Sequence, residues 1–344
     1  MGGRLKYGYA NARSKALKTE LLDKAILEEM LKAEKAGDVL GVLERTLYGQ
    51  EMSSFYPDFR GADLAEVVIG KNFAQAARKV INITPTDKKE TIITILEKWD
   101  LHNLKTIMLA KFLGQEKIAP FIVAAGSLNE ADLAVLMEKR DVDGVLSALE
   151  GTRYGNAVSG GLDEYRQKKQ LQPIFNAMDS WHYGNLVKKI KIEFEDERHL
   201  LNYFRETIDA KNIINIMRSK IAEISGISQY MIPGGNIRAE GLEELIGAKD
   251  VEQIVGKVKW LFELGEALEK FRKDNSLSHF EEEMERITTE KAIRKMRTSV
   301  LSLSSVFSFL LMKEEEMKNI RKIIRGKEYN LTEEEIRKML QVTE

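Results

Sequence analysis

Cysteine is absent from this 344-residue chain, so no disulfide and no thiolate metal site can form, which fits a reducing, intracellular setting. Histidine occurs four times, at positions 102, 182, 199 and 279, and no His-Glu-x-x-His run exists. Asp196 and His199 stand at i and i+3, as in one arm of a carboxylate di-iron site, but the second Glu-x-x-His arm is missing. The stretch 193–199 therefore reads as a solvated charged face, and no metal is expected. Phosphate-cradling loops are lacking too: neither Gly-x-x-x-x-Gly-Lys-Ser/Thr nor Gly-x-Gly-x-x-Gly occurs, and Gly160-Gly161 and Gly234-Gly235 read as turns. No Gly-x-Ser-x-Gly elbow accompanies the few histidines, so no catalytic residue and no cofactor is expected.

Excess charge of one sign is also missing. Lys plus Arg number 53 and Asp plus Glu 54. Residues 1–117 carry a net +3 and each of the remaining thirds −2, which excludes a nucleic-acid footprint and an acidic tail. The opening Met1-Gly2-Gly3-Arg4-Leu5-Lys6-Tyr7 has no apolar run behind its charges, so it does not read as a secretory signal, and its acid-free first 18 residues give only a faint transit signature. The longest uncharged apolar run, Thr298 to Met312, is interrupted by Ser and Thr and falls short of the ~20 residues a membrane span needs. It reads as a helix buried among helices.

What the chain has in abundance is internal repetition. Trp99 to Lys111 carries an acid at Asp100, Asn103 three residues on, Leu104 beside it, Ile107, and Lys111. The same skeleton returns as Asp209, Asn212, Ile213, Ile216, Lys220, and as Glu316, Asn319, Ile320, Ile323, Lys327. The asparagines lie 109 and 107 residues apart. Acid, Asn and Ile at i, i+3 and i+7 share one helix face, so each copy places a polar pair within an apolar stripe. Arg218 and Arg325 occupy the place of Leu109.

A second repeated element precedes each of these helices. Leu27, Met30, Leu40 and Leu43 map onto Leu133, Leu136, Leu146 and Leu149 at an offset of 106, and those onto Leu242, Leu245, Val255 and Val258 at 109. Such spacing fits two amphipathic turns joined by a short break. Copies one and two continue as Thr46-x-Tyr48-Gly49 and Thr152-x-Tyr154-Gly155, with Gly suited to a helix C-terminus; copy three has Leu261, Glu263 and Leu264 there. Gly126-Ser127-Leu128 and Gly235-Asn236-Ile237 introduce copies two and three, each Gly 23 residues past its Asn.

These observations predict an all-α chain of three tandem helical domains, 1–117, 118–226 and 227–344. Proline occurs only five times and no hairpin-bounded alternation suggests a strand. Helices are expected over 5–36, 39–47, 62–80, 88–112, 130–139, 142–149, 163–192, 197–224, 240–246, 251–272, 277–312 and 314–325. The irregular stretches are expected after the Thr-x-Tyr elements, at 49–61 and 155–162. The repeated pairs Asp100/Asn103, Asp209/Asn212 and Glu316/Asn319 are read as structural, bonding backbone or a cation on a neighbouring helix. Arg13, four residues after Tyr9, is the candidate cation for Asp100. Three equivalent ligand sites are the alternative, disfavoured because Leu109 breaks the Arg pattern.

At these residues the chain resembles the C subunit of archaeal and bacterial A-type/V-type ATP synthases, whose eukaryotic counterpart is the d subunit of the vacuolar proton pump. The motifs are Tyr9-Ala10-Asn11-Ala12-Arg13, Leu43-x-x-Thr46-x-Tyr48, Trp99-Asp100-x-x-Asn103-Leu104-Lys105, Asp209-x-x-Asn212-Ile213-x-x-Ile216-x-Arg218 and Tyr230-Met231-Ile232-Pro233-Gly234-Gly235. The resemblance runs essentially the whole length, departing at Leu109 and in the third copy. It implies a funnel with pseudo-three-fold symmetry, one copy per complex, peripheral on the cytoplasmic face of the cell membrane. It implies as partners the proteolipid ring (c/K subunits) and the D and F subunits of the central stalk, and a non-catalytic rotor role coupling ion transport to ATP synthesis or hydrolysis. The interface residues are not legible; the loops after Tyr48 and Tyr154 and those led by Gly126 and Gly235 are the candidates. A peptide-binding helical scaffold and a helical metalloenzyme are the alternative classes.

Overall fold

The computed structural model describes residues 2–224 and 226–340. All regular structure among them is helical, with no strand. The chain divides into two compact units, Met1–Glu150 with Arg297–Glu344, and Gly151–Met296.

In the first unit the organising element is the helix Leu303–Glu328, in which 19 of 26 residues are buried. A helix buried nearly all round lies inside a bundle rather than on its surface. Its Ser-rich start tolerates this because the hydroxyls bond locally: Ser305 Oγ donates to Ser302 O at 2.8 Å and Ser308 Oγ to Ser305 O at 3.0 Å. The helix packs against Gly8–Lys18, the short pair Lys24–Lys32 and Ala36–Glu44, and most extensively Gly61–Ile83. The third repeat's long helix thus packs on the elements of the first. Thr86–Leu113 packs on the short pair Glu130–Met137 and Val142–Leu149, which belong to the next repeat in the chain. Among the described residues no helix is long and apolar enough to cross a membrane.

The second unit shows the same register. The helix Glu197–Ile221 packs on the pair Ala239–Ile246 and Val251–Val258, and on Ser278–Met296. Ile213, Ile216, Met217, Ile254, Phe262 and Phe280 meet in its core. Arg153–Lys168 and Gln172–Lys189 form a tight hairpin. A Cβ on Gly161 would lie 2.4 Å from the Pro173 carbonyl, so the two backbones touch. Gly161→Ala is expected to force that hairpin apart and destabilise the unit by about 2–3 kcal/mol, an overpacking cost readable as a lower urea midpoint. An unshifted midpoint would show that the hairpin yields freely.

Several expected boundaries are corrected. The segment 5–36 breaks at Thr19–Asp23, where Asp23 caps the next helix by accepting from Ile26 N at 2.9 Å. The segment 163–192 breaks because Lys169 takes φ +52° and Pro173 opens the following helix. The segment 251–272 breaks after Val258, where Phe262 and Leu264 turn inward. Between Met296 and Leu303 the chain bends with Leu301 at φ +55°, after which the expected 277–312 and 314–325 resolve into Ser278–Met296 and a single Leu303–Glu328.

The stretches read as irregular, 49–61 and 155–162, instead contain the helix Gly49–Phe55 and the middle of Arg153–Lys168. The Thr-x-Tyr-Gly element begins helices rather than ending them. Thr152 Oγ1 accepts from Tyr154 N at 3.2 Å and Gly155 N at 3.4 Å, an N-cap. Gly49 is needed for a different reason: a Cβ there would sit 2.1 Å from Glu44 O.

Candidate functional site

Thr86–Leu113 turns Asp100 and Asn103 toward the chain segment that returns beside it, and both side chains are wholly buried. Asn103 pairs with that segment as a second peptide group would. Its Nδ2 donates to Val123 O at 2.8 Å, and its Oδ1 accepts from Val123 N at 2.9 Å. Asp100, which only accepts, takes two amides one turn further on, Ser127 N at 2.7 Å and Leu128 N at 3.0 Å. These amides lie just ahead of Asn129, the N-cap of Glu130–Met137, so the carboxylate also faces a helix N-terminus.

The second copy repeats this atom for atom. Asn212 exchanges hydrogen bonds with Ile232 N and O at 2.8 and 2.9 Å, and Asp209 accepts from Asn236 N at 2.9 Å and Ile237 N at 3.0 Å. In both copies the carboxylate lies against a glycine that precedes the two amides. A Cβ on Gly126 would stand 2.2 Å from Asp100 Oδ2, and one on Gly235 2.1 Å from Asp209 Oδ1. Burial raises the Asp209 pKa; the Ile237 and Asn236 amides oppose that shift and the neighbouring Glu206 adds to it.

The third copy closes on the first. Leu22 is the 106-residue equivalent of Leu128, and its amide donates to Glu316 Oε2. At the glycine position stands Glu20, and the acid is the longer Glu316, which has an extra methylene to reach past a residue bearing a side chain. The other oxygen, Oε1, accepts from Tyr48 Oη at 2.6 Å and Lys313 Nζ at 2.6 Å, while Lys313 also reaches Tyr48 Oη at 3.0 Å. Tyr48, Lys313 and Glu316 are 1%, 6% and 6% exposed. Burial, then the adjacent Glu316 carboxylate, holds the Tyr48 phenol far above its ordinary pKa, so it stays a donor. Asn319 is buried as well, and Leu17, at the place of Val123 and Ile232, lies within the helix Gly8–Lys18.

Of the two expected kinds of partner, backbone or a cation on a neighbouring helix, the first two copies use backbone. Arg13, expected opposite Asp100, is exposed, and two backbone amides occupy that role. Tyr48, Lys313 and Leu22 were missed as members of the site, although the register linking Leu22 to Leu128 was present in the repeat offset. Among the described residues no group of three or more His, Asp or Glu side chains could hold a metal ion.

A protein-family comparison matches residues 10–339 to the ATP synthase (C/AC39) subunit. The chain belongs to that family. It is 29% identical over 345 aligned positions to the A-type ATP synthase C subunit of Thermoplasma acidophilum, covering 96% of this chain and 97% of the relative. Against the A-type ATP synthase C subunit of Methanocaldococcus jannaschii it is 27% identical over 342 positions, covering 97% of this chain and 86% of the relative. The counterpart in Methanococcoides burtonii is 29% identical over 345 positions, covering 98% and 95%.

In this C/AC39-family chain the arginines that follow Asn212 and Asn319 also pair with acids of a neighbouring helix. Arg218 Nη2 pairs with Glu281 at 2.9 Å in the second unit. Its equivalent Arg325 pairs through Nε with Glu66 at 3.3 Å in the first, beside Arg321 at 2.7 Å, and through Nη2 with Asp63 at 3.0 Å.

Beside the third clamp, Glu314 is buried between Lys98 and Lys318. Burial pushes its pKa up, but the two ammonium groups outweigh this and hold it at about 2. The folded chain therefore releases this proton more readily than the unfolded chain. The resulting stability is complete above the ordinary value of 4.5 and is lost as pH falls toward about 2. Lys98→Met is expected to move acid unfolding of the first unit to higher pH, measured as the urea midpoint between pH 2 and 6. Superimposable acid limbs would rule out this coupling.

Proposed function

We propose that this chain is a non-catalytic central-stalk rotor subunit of an A-type ATP synthase, peripheral on the cytoplasmic face of the membrane. It seats the foot of the stalk, formed by the D and F subunits, on the proteolipid ring and passes torque between them. The observation that carries this reading is the end-to-end match to A-type C subunits: residues 10–339 of this chain fit the family, and the alignment to the Thermoplasma acidophilum relative covers 96% of this chain and 97% of that one. A torque-bearing part must resist shear, and the buried acid clamps support that role. Each fixes the height and rotation of one helix against a returning loop through two or more directional bonds, which apolar packing alone does not do. Three segments, 1–117, 118–226 and 227–344, related by a pseudo-three-fold axis, belong to the same proposal.

The test is reconstitution of the complex in vesicles with and without this chain. ATP hydrolysis by the catalytic head is expected to persist without it, whereas ATP-driven ion uptake is expected to vanish and to return when the chain is added. Equal ion uptake in its absence would refute the coupling role.

A further inference from the structure

Residues 2–83 are joined to the rest of the chain through two residues alone, Thr84 and Pro85, between the helices Gly61–Ile83 and Thr86–Leu113. Both have extended ψ values, 136° and 141°, and proline keeps its predecessor out of the helical region. The main seat of this segment is nevertheless the helix Leu303–Glu328, more than 200 residues later. We propose that this seat also accepts residues 2–83 of a second copy of this chain, and that two copies exchange these segments reciprocally into a closed dimer.

The argument rests on which contacts hold the segment. Glu316 binds Leu22 N and Tyr48, Arg321 and Arg325 bind Glu66, and Arg337 forms a forked pair with Glu28 at 2.7 and 2.7 Å. All link positions at least 255 residues apart, and none depends on whether the two partners share a chain. Undocking residues 2–83 would leave Lys313, Glu316 and the apolar positions around them facing solvent. Their complement is specific: a helix-leading amide at Leu22, a phenol at Tyr48 and an acid at Glu66. A second copy supplies the same set, so exchange conserves every contact and changes only the hinge, a low-cost route to a dimer. The direct connection gives the segment of the same chain a high effective concentration, so the monomer prevails in dilute solution and exchange requires opening at high protein concentration. A two-residue hinge favours exchange, since it limits how the segment can refold onto its own chain. This inference stands independently of the stalk role.

The lack of native cysteine makes a clean test available. Glu28→Cys and Arg337→Cys chains are mixed, unfolded together in urea, refolded at high concentration, separated from monomer and oxidised. A disulfide-linked heterodimer is expected from this pair, and not from a control pair of Glu28→Cys with Trp260→Cys, whose tryptophan is exposed in the other unit. In the cysteine-free chain, inserting Gly-Ser-Gly-Ser between Thr84 and Pro85 is expected to lower the dimer fraction several-fold by light scattering. Monomer alone after refolding of the unaltered chain, or equal cross-linking in the control pair, would overturn the proposal.

Discussion

Glu316→Ala is expected to lower the unfolding temperature of the first unit by on the order of 10 °C. Removing the carboxylate leaves the Lys313 ammonium buried without its counter-charge and strips acceptors from the Leu22 amide and the Tyr48 hydroxyl. Breaking a buried pair in this way costs about 3–5 kcal/mol. The gain in helix propensity from Ala amounts to a few tenths of a kcal/mol and does not compensate. At ~2–4 °C per kcal/mol for a body of this size, the predicted fall follows. A neutral pair, Lys313→Met with Glu316→Gln, should lose less than either single change. Gln still accepts from Leu22, and no buried charge is left alone. Calorimetry on the three variants decides the matter. If the double variant loses as much as the two singles combined, the residues do not act as a pair.

The two clamp glycines carry the next largest effect. Gly126→Ala and Gly235→Ala each place a methyl group within about 2.3 Å of a carboxylate atom, against an ordinary contact beyond 3.4 Å. The carboxylate can move away only by leaving its two amides. Two buried donors and a buried anion are then unsatisfied, for an expected loss of about 3–5 kcal/mol. Gly256→Ala serves as the contrast: it lies within a helix with open space around it and should stabilise by about 0.5–1 kcal/mol. Non-additivity gives the sharper test. Once Asp100→Ala has removed the carboxylate, Gly126→Ala should have almost no further effect on the urea midpoint. An additive double variant would place the glycine's role elsewhere.

The helices carrying the first two clamps were legible because a 3.6-residue period marks them regardless of context: 88–112 and 197–224 were expected and Thr86–Leu113 and Glu197–Ile221 are found, whereas the third, expected over 314–325, begins at Leu303. The clamp's target was not legible from side chains, because it consists of main-chain amides that every residue possesses. Only the 23-residue spacing from Asn103 to Gly126 and from Asn212 to Gly235 marked it, through the space the carboxylate needs. Tyr48 and Lys313 stayed hidden for another reason. They meet across 265 positions, and the repeat offers no parallel, since Glu97 and Glu206 stand where Lys313 does. Helix ends were misplaced where non-glycine residues take a left-handed turn, at Lys169 and Leu301. Propensity gives no warning there, because packing rather than local preference sets the bend.

The seating of the first helices on Leu303–Glu328 also constrains how the molecule is made. Their landing site leaves the ribosome some 220 codons after Ile83. At about 5–20 residues per second that is a wait of roughly 10–45 s. Through that interval the nascent amino-terminal helices must remain open to solvent or to a chaperone. Any truncated translation product ending before residue 303 would display the same uncovered apolar faces.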